Sequence, residues 1–358
     1  MVYKQLVVPD KYWRENKILN GEFLIAQRGT TFNFAPSLTG GAYTIACFDR
    51  FTFGTHIASS LDLGTGEKFP QVRLTQESFV QGSGDIPPGN PEKYLRLYFL
   101  DAGAAPSPNS FMILNSALDD PRSLLGQTVT VSFYARTSIA NRRIGFRLHT
   151  ADSSVNNHKQ IFNKTVTTDG SKKWNKFAVT FKIPSFLEDY NLINIIFFQF
   201  MFQCGSNVSK LWTTSATSIT PGETIDIADL KLEIGDRATP MPRESYWQQL
   251  LKCQQYYWEA PDRTILHGFS TANGSSGIVF ATVKFPVPMK KIPGISISSQ
   301  IYVHLPGIEI GNKNFGGLWL LTPELCEFGI LTTYPFPAAA IVEINKNSGQ
   351  HFKADVGY

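Results

Sequence analysis

Apolar residues in the first 240 positions come in short runs, cut at brief intervals by clusters of Gly, Pro, Ser, Asn and Asp. That punctuation suits antiparallel strands joined by turns, packed as a sandwich. Thr128–Arg136, TVTVSFYAR, shows the period most clearly. Val129, Val131, Phe133 and Ala135 fall on one face and Thr130, Ser132 and Tyr134 on the other, because side chains alternate along a strand. One face packs and the other can stay wet.

Strands are expected at about Gly21–Gln27, Phe48–His56, Lys93–Phe99, Thr128–Ala135, Arg143–Thr150, Asn175–Ile183, Asn194–Phe202 and Thr224–Glu233. The run IIFFQFM is apolar on both faces. It is expected either as a central strand covered on both sides or as one whose outer face meets another domain or subunit. QGSGDIPPGNPE (Gln81–Glu92) and DAGAAPSPNS (Asp101–Ser110) hold too much Pro and Gly to pair inside a sheet, so they belong at sandwich ends.

The pattern changes once, at ATPMPRESYWQQLLKCQQYYWEAP. Tyr246, Leu250, Cys253 and Tyr257 recur at four, three and four residues, and Trp247, Leu251 and Trp258 widen the stripe. This spacing predicts a helix over about Glu244–Trp258, ended before Pro261. Alternation then returns in IVFATVKFPVPM, GISISSQIYV and AAIVEINKN. The expected organisation is an arm at 1–19, a β-sandwich domain at 20–240, a linker helix at 241–260 and a smaller C-terminal β-sandwich at 261–358.

Composition narrows the function classes. Only 17% of residues are charged and 13% are aromatic, with 27 Phe among 358 residues, which suits a packed β protein and not a disordered one. The net charge is +4 and the basic residues come in scattered pairs such as Arg142-Arg143, Lys172-Lys173 and Lys290-Lys291. Nucleic-acid binding needs a denser footprint and is not expected. The apolar run Leu192–Cys204 is shorter than the roughly 20 residues of a membrane span, and MVYKQLVVPDKYW is too short in apolar residues for a secretion signal. Synthesis in a cytoplasm without membrane insertion is the expectation.

Chemistry-bearing constellations are sparse. Cys47, Cys204, Cys253 and Cys326 show no C-x-x-C spacing, and the six histidines show no i, i+2 or i+4 pair, so zinc is not expected. The carboxylate pairs Asp119-Asp120, Glu188-Asp189 and Asp226 with Asp229 are near in sequence only, although a glycosidase could use acids brought together by folding. Asn20, Glu22 and Asp226 are the residues to consider for a structural calcium; no other cofactor is expected. Trp174 reads as a core residue. Trp319, Tyr334 and Phe336, near proposed loop ends of the last domain, are the candidates for presenting an aromatic face to a sugar.

Three segments together resemble a known group. NGEFLIAQRGTTF and YTIACFDRF are similar to the opening motifs of bacteriophage tail-fibre and minor virion structural proteins, and IDIADLKLEIGDRATPMPRESYWQQLLKCQQYYWE is similar to their strand, A-T-P break and C-x-x-Y-Y helix. The middle strands resemble the jelly rolls of that group and of carbohydrate-binding modules. This chain departs in a longer spacing from Tyr43 to Asp49 and in Phe51 where Trp is usual. The resemblance implies a non-enzymatic jelly-roll virion protein, expected as a homotrimer bound to other virion proteins and contacting host glycans. It also implies architectural roles for Asn20, Gly21, Arg28, Gly29, Asp49, Arg50, Cys253, Tyr256 and Tyr257. Alternatives are a capsid decoration or head-fibre protein, a polysaccharide depolymerase, and a free carbohydrate-binding module.

Overall fold

The computed structural model describes residues 15–35, 42–57, 69–103, 108, 110–152, 160–170, 172–185, 193–212, 218–261, 265–273, 276–297, 300–305, 308–332, 341–345 and 352–356. It divides into two units, Met1–Gln249 and Leu250–Tyr358.

The first unit opens with β1 (Thr31–Phe34), β2 (Ala42–Ala46), β3 (Thr52–Ile57), β4 (Val72–Ser78), β5 (Lys93–Phe99) and β6 (Ser110–Ala117). A short 3-10 turn at Pro121–Leu124 precedes β7 (Thr128–Thr137), β8 (Arg143–Asp152), β9 (Gln160–Thr167), β10 (Asn175–Lys182) and β11 (Ile193–Cys204). Helix α1 (Ser206–Trp212) and β12 (Thr224–Ile234) follow. Sheet I has the order β1-β4-β5-β12-β7-β10 and sheet II the order β2-β3-β6-β11-β8-β9. The chain passes repeatedly from one sheet to the other, as in a jelly-roll sandwich.

Phenylalanine fills the space between the sheets. Phe133 meets Phe146 and Phe200 edge-on, at centroid distances of 5.7 and 4.9 Å, and each such ring contributes about 2–3 kcal/mol by leaving water. The alternation read in TVTVSFYAR places Val129, Val131, Phe133 and Ala135 in this core. Strand β11 is central in sheet II, between β6 and β8. Its Ile196, Phe198, Phe200 and Phe202 enter the core, while Met201 on the other face packs with Phe111, Ile113 and Val208 of α1.

Three expectations need correction here. Gly21–Gln27 is not a strand: Asn20 and Phe23 take left-handed backbone, φ 57° and 54°. The Asn20 side chain accepts from Ile25 N–H at 2.9 Å and donates to Ile25 O at 2.8 Å, which satisfies locally the groups a ladder would use. Phe23 and Ile25 are nevertheless fully buried. The strand expected from Phe48 starts only at Thr52, because Phe51 N–H donates to Phe48 O at 2.8 Å and closes a turn in which Arg50 has φ 70°. Residues 16–19 belong to the sandwich and not to an arm. Lys17 N–H donates to Leu232 O at 2.8 Å and Ile18 is in the core; residues 1–14 lie outside the described residues.

The opening motifs thus form one hydrogen-bonded corner. Asp49 accepts from Gln27 N–H at 2.6 Å and Gln27 Nε2 at 2.7 Å, and Asn20 Nδ2 donates to Asp49 O at 2.9 Å. Arg50 Nη2 reaches Ala117 O at 2.9 Å. Gly29 N–H closes on Ala26 O at 3.1 Å, next to Arg28. At position 21 a Cβ would fall 1.9 Å from Leu230 O, so only glycine fits.

Helix α2 (Tyr246–Gln254) spans the division between the units and is shorter than expected. Tyr257 and Trp258 leave it for β13 (Tyr257–Glu259), since Tyr256 N–H bonds Cys253 O at 2.9 Å and ends the helix. Cys253 and Tyr257 are buried, Tyr256 is half-buried, and Tyr257 Oη donates to Glu259 Oε2 at 2.8 Å.

The second unit continues with β14 (Ile265–Asn273), β15 (Ser276–Lys284), β16 (Gly294–Ile297), β17 (Gln300–Leu305) and β18 (Ile308–Leu321). It ends with β19 (Leu325–Thr332), β20 (Ile341–Asn345) and β21 (Phe352–Asp355). It is all-β, but six strands close into a barrel, β14-β15-β19-β18-β17-β20, beside a three-stranded sheet, β13-β21-β16. Two register shifts bend the long strand β18 against β19, the local device by which a sheet curves. Trp258 packs with Phe285 and Phe352 in this unit's core.

Candidate functional site

The outer face of sheet I carries polar residues at the positions that alternate with the core. Asp226 on β12 faces Arg96 across β5 and Arg136 across β7. It accepts from Arg96 Nε at 2.8 Å and Nη2 at 2.9 Å, and from Arg136 Nη2 at 2.7 Å. The bond to Asp226 holds Arg96 above the ordinary guanidinium range. Burial pulls Arg136 down, but its bonds to Asp226 and Asp85 outweigh that and hold it above its ordinary value.

This network pins one loop. Arg136 also pairs with Asp85, within the Gln81–Glu92 segment. Its guanidinium lies 4.6 Å over Trp174, which contacts Phe79 and Tyr94 at 5.3 and 5.4 Å. Trp174, expected in the core, therefore packs on the outer face, because the alternate β7 and β5 residues present a second, smaller aromatic cluster there.

The segment after β12 folds back over the same face. Lys231 donates to Glu233 Oε2 at 2.9 Å, Thr239 Oγ1 at 2.7 Å and Pro240 O at 3.0 Å, and Glu233 accepts from Thr239 N–H at 2.7 Å. The A-T-P break is thus the latch that returns the chain to the sheet. Arg243 makes a bidentate pair with Asp229, both bonds 2.7 Å, pairs with Glu22 and donates to Gly89 O at 3.2 Å. Burial raises the Glu22 carboxyl above its ordinary range, with Arg243 opposing. Gly89 has φ 94°, and a Cβ there would come 3.3 Å from Arg243 Nη2.

Between these two walls lies a cavity of about 310 Å³. Ser132, Tyr134 and Lys176 line its floor, Pro88 and Gly89 one side, and Pro240 and Met241 the other. Tyr134 is half-buried, and Lys176, directly opposite it in register, is exposed with Nζ 5.8 Å from the ring centroid. Burial raises the Tyr134 hydroxyl pKa, Asp229 adds to this and Arg243 opposes, so the hydroxyl stays a hydrogen-bond donor. A ring face, a hydroxyl and fixed charges around a small concavity suit the recognition of a polar ligand.

Of the residues singled out from the sequence, Asp229 lines the cavity and most of the others lie elsewhere. Asn20, Gly21, Arg28, Gly29, Asp49 and Arg50 gather at the N-terminal corner. Trp319 is on β18, whereas Tyr334 and Phe336 lie outside the described residues. Asn20, Glu22 and Asp226 do not form a calcium set: their oxygens face Ile25, Arg243 with Gln249, and two arginines respectively. Among the described residues no group of three or more His, Cys, Asp or Glu is arranged to hold a metal ion, and no helix is long and apolar enough to cross a membrane. Asp119-Asp120 leads into the 3-10 turn, and Glu188-Asp189 lies outside the described residues. Tyr134, Lys176 and Arg243 went unselected. The available signal was Tyr134 on the polar face of TVTVSFYAR.

No family model matches the chain, and no curated protein matches it. Among solved structures, the enzymatically active domain of bacteriophage CBA120 tailspike protein 4 is similar at 11% identity and TM-score 0.33, covering 62% of this chain and 21% of that one. A family 11 carbohydrate-binding module from Clostridium thermocellum is similar at 10% identity and TM-score 0.28, over 56% of this chain and 98% of that one. A xylan-binding domain from CBM 22 is similar at 14% identity and TM-score 0.28, over 51% and 96%.

Proposed function

We propose that this chain is a non-enzymatic structural component of a bacteriophage virion, a tail fibre or tail-associated protein, whose first unit binds a glycan of the host surface. The observation that carries the glycan reading is the cavity on sheet I, floored by Tyr134 and walled by two segments held in place by ion pairs. Preformed walls keep the ordering cost of binding small. The virion role rests on the resemblance of the N-G-E-F, D-R-F and L-E-I-G-D-R-A-T-P segments.

A non-catalytic role fits the acids on this face of the sheet. Asp226 and Asp229 are each bound by arginine, whereas a glycosidase acid must be available to hand over its proton. Tyr246 and Trp247, 47% and 70% exposed, fit a further protein interface, in a homotrimer or against another virion protein.

Purified protein offered host capsule or lipopolysaccharide in a surface-binding assay is expected to bind saturably and to leave the polymer length unchanged. Absence of binding would overturn the glycan reading, and shortened polymer would replace it with a depolymerase.

A further inference from the structure

The charges around the cavity are unequal in how far they are already engaged. Lys231 has three acceptors, in Glu233, Thr239 and Pro240. Arg243 bonds Glu22, Asp229 and Gly89 O, and both Asp229 oxygens receive Arg243. Lys176 differs. It is exposed, and its ammonium meets the Tyr134 ring with no ion pair among the described residues.

From this we infer that the sheet I cavity selects a saccharide bearing a carboxylate, of the hexuronic acid class, with the sugar ring against Tyr134 and the carboxylate at Lys176 Nζ. The inference rests on the glycan reading above and adds the chemical class of the sugar. The volume of about 310 Å³ is at the small end of ligand pockets, roughly 300–1,000 Å³, so a terminal sugar is taken rather than a long stretch of chain. Pro88, Pro240 and Met241 supply apolar edges, and Tyr134 Oη donates to a ring oxygen or hydroxyl. A neutral sugar would keep the stacking and hydrogen bonds but leave the ammonium without a partner.

The test is a calorimetric titration of the full chain with a glucuronate-terminated oligosaccharide and with its glucose-terminated counterpart. The acidic ligand is expected to bind about tenfold or more tightly at low salt, with the preference shrinking as salt is added. Lys176→Met, at an exposed position outside the core, is expected to bring the two affinities together, and Tyr134→Ala to remove both. Equal affinities in the unaltered protein, or a preference that survives Lys176→Met, would overturn the inference and leave the glycan reading standing. Binding of neither oligosaccharide overturns it too, and the host-polymer assay then decides whether the glycan reading falls with it.

Discussion

The two outer faces of the sandwich are covered in different ways. On sheet I, Asp226 is 1% exposed between two arginines, and its network fixes the position of a loop. On sheet II, Arg147 is 4% exposed and donates to Gln199 Oε1 at 2.6 Å among its contacts. Burial pulls its pKa down to about 9. Beside it that face is closed by the packing of Phe111, Ile113 and Met201 with Val208 of α1. The difference teaches that paired charges on sheet I hold two segments in place around a cavity, whereas the outer face of sheet II is closed there by apolar contact.

The largest effect is expected at the centre of the sheet I network. Asp226→Asn leaves two guanidiniums facing an amide and should lower unfolding free energy by about 3 kcal/mol, read by urea denaturation. In an Arg96→Met, Arg136→Met background the same change should cost far less; an undiminished cost would break the comparison. On sheet II, Arg147→Met keeps the volume and removes the charge. It is expected to cost less than Asp226→Asn, because burial disfavours the charge it removes, and a loss matching Asp226→Asn would show that the two faces are alike.

The smallest effect concerns pH. Burial raises the carboxyls of Glu22, Asp49 and Glu223 above their ordinary values. Between the ordinary and the raised value the folded chain binds more protons than the unfolded one, so these groups lower stability as pH rises through that window. Their penalty grows as pH rises above the ordinary carboxyl values and is relieved on acidification. Melting temperature at constant ionic strength should therefore carry a negative contribution from Glu22 and Glu223 as pH rises above about 4.5, reduced in Glu22→Gln; an unchanged slope in that variant would remove Glu22 from the account.

Legibility followed the range of the interactions. The period of two in TVTVSFYAR gave β7 its core face, and Lys93–Phe99 coincides with β5, because burial on one face writes itself into neighbouring residues. The N-terminal corner was misread as strand since NGEFLIAQ has apolar residues in plausible places, while the backbone course is decided by Asn20 bonding Ile25 and Asp49. The cavity could not be read at all. Arg96 meets Asp226 across 130 positions and Arg243 meets Glu22 across 221, and no local period marks such pairs. Lys176 stands opposite Tyr134 only because β10 pairs β7 in that register. The closure of the second unit into a barrel likewise depends on which strands meet, beyond what alternation reports.

The most direct measurement is a crystal structure of the full chain with a carboxylated oligosaccharide bound. The account predicts a sugar ring lying against Tyr134 between Pro88 and Pro240, its carboxylate at Lys176 Nζ. Sugar bound on the outer face of sheet II or on the second unit, with the sheet I cavity empty, would contradict it.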